Sequence, residues 1–296
     1  MSRNHSASAV CMNPARTVNV SRPNMRHEQG MFRTWAVMAQ NVYGSRELIW
    51  QLFKRDFLGA YKKSFLGLAW AILTPLSAVV MWLFLRGTGM FNPGESSVPY
   101  PVYVLLGTTV WTLFMGILTA AGTTLQSGSD LVLQVNFPHE ILLFKQVAQN
   151  LATSLFSLVF CVAVALCFRV VPSPWALLFP LVALPLFFLA AGIGLLLSLI
   201  GVVAMDLSKA VNLLFPLLMF ASPIVYTSEV DSPFAHAVIR WNPLTYLVCS
   251  CRDLILFGRL YDPLGYAISA LGAFLFFMMA WRLFYVSENK LIERMV

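Results

Sequence analysis

The sequence predicts an all-α membrane protein, a bundle of about six transmembrane helices. The 296-residue chain has a mean hydropathy of +0.73, and only 11% of its residues are charged, against about 25% in a soluble domain. Its apolar residues come in long blocks of about 20, which cross the hydrocarbon core of a bilayer as helices with internally bonded backbones. A membrane β-barrel would instead show alternating segments of about 10 residues.

The first ordered element is expected at residues 46–63. Residues 1–30 are polar and basic, lack the apolar core of a cleaved secretory signal, and are predicted to be a flexible cytoplasmic tail before a single transmembrane domain at 31–296. In 46–63, apolar side chains recur at helical spacing while cations such as Lys54 and Arg55 take other faces. This pattern predicts an amphipathic helix in the interface, its cations toward membrane-lipid headgroups. A helix packed on the bundle is the alternative.

The apolar blocks predict spans at 66–85, 103–124, 147–168, 175–203, 210–224 and 263–285. The fourth exceeds the usual length and holds Pro180 and Pro185, so we expect it to be tilted, kinked or broken near its start. The fifth is short and is interrupted by Pro216. Gly192 and Gly194 would let another helix approach closely.

Lysine and arginine positions predict the orientation. With the N-terminus in the cytoplasm, 15 of the 20 basic residues fall on the cytoplasmic side. The positive-inside rule therefore places both termini in the cytoplasm. The same retention of basic residues accounts for the net charge of +7, so we expect no nucleic-acid partner.

No pattern of residues in the chain predicts catalysis. The sequence has no G-x-x-x-x-G-K-[ST], H-E-x-x-H or G-x-S-x-G, and its five cysteines lack zinc-type spacing. We therefore expect no enzyme activity, no catalytic residue, no metal site and no cofactor in this chain. Aromatic residues are abundant in the spans. They indicate side chains that face lipid or, alternatively, side chains that line a pore and stack on sugar rings.

Two stretches outside the spans are more specific. Pro138 and Glu140 suit the first turn of a helix, so a short cytoplasmic helix is expected between spans two and three, exposing Phe137, Ile141 and Leu142. Such a helix needs a partner surface, either another protein or its own bundle. Residues 226–257 are too polar to span and too apolar for a free loop. Their pattern predicts two short helices broken at 241–244 that re-enter the outer leaflet, as the cap of a pathway or as a structural hairpin.

Three motifs carry a resemblance to a known family. They are Arg55-Asp56 followed by Tyr61, Ser64, Leu66-Gly67, Trp70 and Pro75; Phe137-Pro138-His139-Glu140; and Ser222-Pro223-Ile224-Val225-Tyr226 with Asn242-Pro243-Leu244-Thr245 and Arg252-Asp253. In this order the chain resembles, over about residues 46–290, the permease subunits of type-2 ABC exporters, of the polysaccharide and teichoic-acid branch. Ala60 departs mildly, since the family has a basic residue before the tyrosine.

The resemblance implies roles for three groups of residues. An interface helix would include Arg46, Lys54, Arg55, Asp56 and Tyr61. A coupling helix at 137–144, docking on an ATPase subunit, would include Phe137, Pro138, His139, Glu140, Ile141 and Leu142. Gate helices at 226–257 with the preceding turn would include Pro223, Tyr226, Trp241, Asn242, Pro243 and Arg252.

The resemblance also implies the assembly and its cargo. Two copies of this chain would form a channel in the bacterial inner membrane, driven by two copies of an ABC ATPase that binds ATP and Mg. The substrate would be a lipid-linked glycan or polyol phosphate of the O-antigen, capsule or teichoic-acid type. An ABC exporter of small lipophilic molecules, a channel without an ATPase and a membrane glycosyl- or acyltransferase remain as alternatives. The transferase would need clustered His, Asp or Glu at a membrane face.

Overall fold

Helices are the only regular secondary structure in the described part of the chain. The computed structural model describes residues 31–62, 67–90, 92, 94, 97–124, 140–227 and 232–292. Its helices are α1 (Met31–Gly44), α2 (Arg46–Lys62), α3 (Trp70–Gly87), α4 (Tyr100–Gly122), α5 (Glu140–Cys167), α6 (Phe179–Val203), α7 (Met205–Leu214), α8 (Pro233–Trp241), α9 (Pro243–Phe257) and α10 (Pro263–Ile292). Short 3₁₀ turns lie at Gly67–Ala69, Pro174–Leu178 and Phe215–Met219.

Four segments in the described residues are long and apolar enough to cross a membrane, and they confirm the predicted fold class. They are Tyr100–Gly122, Ile141–Cys167, Pro174–Gly201 and Pro263–Ser287, while the apolar part of α3, Ile72–Gly87, is shorter. The predicted count of six is not confirmed. In the fifth predicted span, α7 ends at Leu214 and a 3₁₀ turn containing Pro216 follows, because proline has no backbone N–H for a helix interior.

Helix α4 is the centre of the bundle. Within the chain, 78% of its span is buried, against 17–33% for the other three spans. It packs on α5 and α6, and also on α3 and α9, while α10 covers the other side of α6. Its neighbours are mostly exposed within the single chain, and α4 supplies much of the core.

Glycines set the spacing around α6. A Cβ built on Gly194 would lie 2.5 Å from the Leu118 carbonyl oxygen of α4. A Cβ on Gly192 would lie 3.2 Å from the Cα of Phe277 in α10. The expectation of close helix approach is confirmed, and the neighbours belong to the same chain.

Two further expectations concern the start of the fourth span and the start of the ordered chain. The fourth predicted span changes helix type near its start, where the Pro174–Leu178 3₁₀ turn runs directly into α6 with Pro180 in its first turn; Pro174–Gly201 stays one span and no break is shown. The expectation that ordered structure begins at 46 is wrong, because α1 precedes it. Trp35 Nε1 donates to the Met278 carbonyl at 3.3 Å, and Met38 is fully buried. The Trp35 bond to α10 and the burial of Met38 hold α1 against the bundle.

Candidate functional site

Two polar clusters lie at opposite ends of the α4–α5 pair. The two helices are antiparallel, since Thr109 contacts Cys161 while Gly116 lies against Asn150. One cluster therefore surrounds the start of α4, and the other surrounds the start of α5.

The first cluster holds residues 221–226, here called the 221–226 turn. Ser222, Ile224 and Val225 in it are fully buried. From α4, Tyr100 Oη donates to the Val225 carbonyl at 2.9 Å and Tyr103 Oη donates to the Tyr226 carbonyl at 3.0 Å. The turn has no helical partners for these carbonyls, so the two tyrosines satisfy them and fix the turn on α4.

Close backbone approach completes the fit between the turn and α4. A Cβ on Gly107 would lie 2.6 Å from the carbonyl oxygen of Ile224. Any larger residue at this position would push the turn away from α4. Tyr226 Oη also donates to the carbonyl of Phe220, the residue just before the turn, at 2.7 Å.

Arg252 of α9 is the buried cation of this cluster, with 4% of its surface exposed. Its Nη1 donates to the Pro223 carbonyl at 2.8 Å and its Nε donates to Asp253 Oδ1 at 2.9 Å. Its Cζ lies 4.0 Å from the centre of the Tyr103 ring, a cation–π distance. One guanidinium therefore joins α9, α4 and the 221–226 turn and neutralises a buried carboxylate.

Asn242 separates α8 from α9 and confirms the predicted helix break. Its Oδ1 accepts from the Leu244 backbone N–H at 3.0 Å, a helix N-cap that precedes Pro243 in the first turn. Its Nδ2 donates to the Ala221 carbonyl at 3.1 Å and to Ser222 Oγ at 2.8 Å. The cap of α9 is thus also a tether of the turn.

The predicted gate residues are brought together with one exception. Pro223, Tyr226, Asn242 and Arg252 share the cluster, and Pro243 begins α9, whereas Trp241 is 86% exposed. Sequence reasoning missed Tyr100, Tyr103 and Gly107, which lie more than a hundred positions before the turn. A tyrosine pair three residues apart at the start of an apolar span was the available signal.

The second cluster joins α2 to the start of α5. Lys145 Nζ donates to Asp56 Oδ2 at 2.8 Å, and Arg55 Nε donates to Asp56 Oδ1 at 2.7 Å. Burial raises the pKa of Asp56, but hydrogen bonds and charge from Arg55 and Lys145 outweigh it, so this pKa lies below its ordinary value. Asp56 is therefore ionised at neutral pH and bridges the two helices.

Stacked aromatic rings reinforce this contact. The ring centres of Trp50 and Phe53, and of Phe53 and Phe57, are 5.3 Å apart, and Phe57 lies 6.4 Å from Phe156 of α5. Helix α2 thus packs on the bundle while Leu48, Trp50 and Leu58 stay exposed. Arg46 and Lys54 are also exposed and do not join the Asp56 cluster. The side chain of Tyr61 lies outside the described residues.

The predicted coupling segment is only partly visible. Phe137, Pro138 and His139 lie outside the described residues, and Glu140 is the first residue of α5, a helix of 28 residues. The expectation that Ile141 and Leu142 are exposed is wrong, because they are only 1% and 2% exposed. The helix that starts here continues into a membrane span, so its first turn is packed with the bundle.

Comparison with known proteins decides the family. The family model described as ABC-2 type transporter matches residues 47–256. The chain belongs to this family. The match begins in α2 and ends in α9, and both polar clusters lie within it. The protein is therefore a multi-pass membrane permease of the type-2 ABC exporter class, a transport subunit.

Three relatives of this ABC-2 permease share the name O-antigen export system permease protein RfbA. The Myxococcus xanthus protein is 25% identical over 228 residues, covering 76% of this chain and 86% of the relative. A Klebsiella pneumoniae protein is 24% identical over 216 residues, covering 72% and 82%. Another from Klebsiella pneumoniae is 22% identical over 245 residues, covering 80% and 93%.

The Asp56–Lys145 pair of this permease gives a first testable prediction. Lys145→Gln should lower the free energy of unfolding by about 1 kcal/mol, the upper end for a surface pair, because Lys145 and Asp56 are only 12% and 26% exposed. Since the folded pKa of Asp56 is lowered, the stabilisation is present above its ordinary pKa and lost as pH falls through the folded value. Thermal unfolding in detergent across a pH series measures both effects.

Lys209→Gln is the matched control for this prediction. Lys209 lies 3.7 Å from Asp206 and both side chains are exposed, so no change is expected. Equal shifts for the two variants, or a Lys145 effect that does not shrink at low pH, would contradict the assignment.

Proposed function

We propose that this permease exports a lipid-linked polysaccharide of the O-antigen type across the bacterial inner membrane. Two copies would form the channel, with both termini in the cytoplasm. The observation that carries the proposal is the alignment with three O-antigen export permeases over 72–80% of this chain and 82–93% of theirs. The family match at residues 47–256 includes both polar clusters and the first three of the four described spans.

Energy would come from a separate subunit. Two copies of an ABC ATPase would bind ATP and Mg, and residues 137–140 would dock on them. The bound and hydrolysed states must contact this segment differently, because only a difference in contact free energy shifts a conformational equilibrium. Ile141 and Leu142, which are buried, would anchor the segment to the bundle and are not docking residues.

Lys145 offers a route from that segment into the membrane. It lies five residues after Glu140 on the same helix and holds Asp56 of α2 at 2.8 Å. A displacement of the segment would thus move α5 and α2 together, and α5 packs directly on α4. At the other end of α4, the 221–226 turn and Arg252 would link this motion to α8 and α9, the proposed outer gate.

Composition of the native complex is the direct test of the proposal. We expect native mass spectrometry of the protein, purified gently from its host, to show two copies bound to two copies of an ATP-binding subunit. Loss of surface polysaccharide in a deletion strain, with lipid-linked glycan accumulating on the cytoplasmic side of the inner membrane, is expected alongside. A chain that carries no ATPase in any of several detergents would overturn the proposal and favour a channel.

The docking segment supplies a second prediction. Phe137→Ala and Glu140→Ala should each reduce substrate-stimulated ATP hydrolysis by the complex about tenfold, the effect of losing about 1.4 kcal/mol of contact between subunits. The bundle should stay folded, as judged by thermal unfolding. Phe168→Ala, one residue beyond the far end of α5, is the control and should hydrolyse ATP normally. Unchanged hydrolysis in both docking variants would remove the assignment.

A further inference from the structure

A groove of about 500 Å³ lies between α3, α4 and α5. Its lining combines threonines, Gly116, Met115 and Ala120 of α4 with amides and hydroxyls of α5, and Pro75 of α3 completes it. Those that carry the argument are Thr112, Gly116, Thr119, Gln149, Asn150 and Thr153. Both helices are long and apolar enough to span a membrane, so the groove lies within the transmembrane part of the chain.

Helical spacing places each polar set on one face. Thr112, Gly116 and Thr119 are separated by four and three residues on α4, and on α5 Thr153 follows Asn150 by three residues and Gln149 by four. The two stripes meet at Gly116, where a built Cβ would come within 2.6 Å of Asn150 Oδ1. Gly116 therefore makes room for the Asn150 carboxamide in the wall of the groove.

The groove presents both acceptors and donors. Thr112 Oγ1 donates to the Thr108 carbonyl at 2.8 Å and Asn150 Nδ2 donates to the Gln146 carbonyl at 3.0 Å, so both offer oxygen acceptors to a ligand. The half-buried Gln149 carboxamide makes no hydrogen bond within the described part of the chain. It offers two N–H donors as well as a carbonyl oxygen. Sugar hydroxyl groups, which both donate and accept, match this mixture.

Lipid does not suit this groove. Hydrocarbon replaces none of the hydrogen bonds that an amide makes with water, so an open carboxamide such as Gln149 needs a polar neighbour. Among the described residues that line the groove, none is charged. The nearby cation Lys145 is not part of the lining and is held by Asp56. A phosphodiester would lose its water here without gaining a cation, whereas a neutral sugar exchanges its water for uncharged partners.

We propose that this groove binds neutral sugar units, and that the cargo of the permease is an uncharged glycan and not a polyol phosphate. The inference rests on the proposed function and narrows its substrate class. The groove extends from the end of α4 near Thr123 to the middle of the pair near Thr109. In the proposed orientation its Thr123 end lies toward the cytoplasm, where the glycan is made.

Two probes on one carrier test the inference. The complex of this chain with its ATPase is reconstituted in liposomes, and ATP hydrolysis is titrated with a polyprenyl-linked neutral oligosaccharide or a polyprenyl-linked polyol phosphate oligomer. We expect the neutral probe to stimulate hydrolysis at a concentration about tenfold lower. Equal or stronger stimulation by the polyol phosphate overturns the inference but leaves the proposed function standing. No stimulation by either probe overturns both.

Variants of groove residues test whether the neutral probe binds in the groove. Gln149→Leu and Thr119→Val should each raise the half-saturating concentration of the neutral probe about fivefold to tenfold, as expected when one or two hydrogen bonds are lost. Thr74→Val, on α3 and outside the groove lining, is the matched control and should behave like wild type. Wild-type titrations for both groove variants, or their dissociation into single copies of the chain, would overturn the inference; dissociation would show that a second copy fills the groove.

Discussion

Arg252→Ala is expected to destabilise the permease by about 3–5 kcal/mol, because it leaves the buried carboxylate of Asp253 without its cation. The same change removes the donor at 2.8 Å from the Pro223 carbonyl and the cation over the Tyr103 ring. Thermal unfolding followed by size-exclusion chromatography in detergent measures the loss. Little monodisperse protein should remain at temperatures that wild type tolerates.

Two comparisons make the Arg252 result specific. Arg240→Ala removes an exposed arginine from the neighbouring α8 and should leave unfolding unchanged. The double variant Arg252→Met with Asp253→Leu replaces both charges by apolar groups and should recover most of the lost stability. A wild-type melting curve for Arg252→Ala, or a double variant no better than the single one, would show that the ion pair does not hold the 221–226 turn.

Gly194→Val is expected to cost at least about 3 kcal/mol, the upper end for overpacking. Its Cβ would lie 2.5 Å from the Leu118 carbonyl oxygen and 3.0 Å from the Gly122 backbone nitrogen. Backbone atoms of α4 cannot rotate away as a side chain does, so α4 and α6 must separate. The yield of folded protein and its thermal unfolding temperature report the effect.

Gly272→Val is the control for the helix-spacing prediction. It makes the same change inside α10, where a Cβ would meet nothing within 4 Å, so only the small difference in helix propensity remains. If the two variants unfold alike, the close approach of α4 and α6 does not limit stability.

Local signals in the sequence determined the class of fold and several element boundaries. Long apolar blocks predict membrane helices because lipid demands internally bonded backbones. Helical spacing predicts α2 at 46–63, against the observed Arg46–Lys62. Asn242 before Pro243 marks a helix start through short-range hydrogen bonding alone. Pro216 correctly indicated that the fifth predicted span is not one continuous helix.

Only the tertiary structure decided which of these elements meet. Asp56 and Lys145 are 89 positions apart, and Tyr103 is 123 positions from its partner Tyr226. No local pattern encodes such pairs, because they depend on how the spans pack. The same reason explains the error at Ile141 and Leu142. Pro138 and Glu140 indicated a short exposed helix, but packing of α5 on the bundle buries both side chains. The sequence therefore determined the membrane helices and their breaks, while packing around α4 determined the two polar clusters.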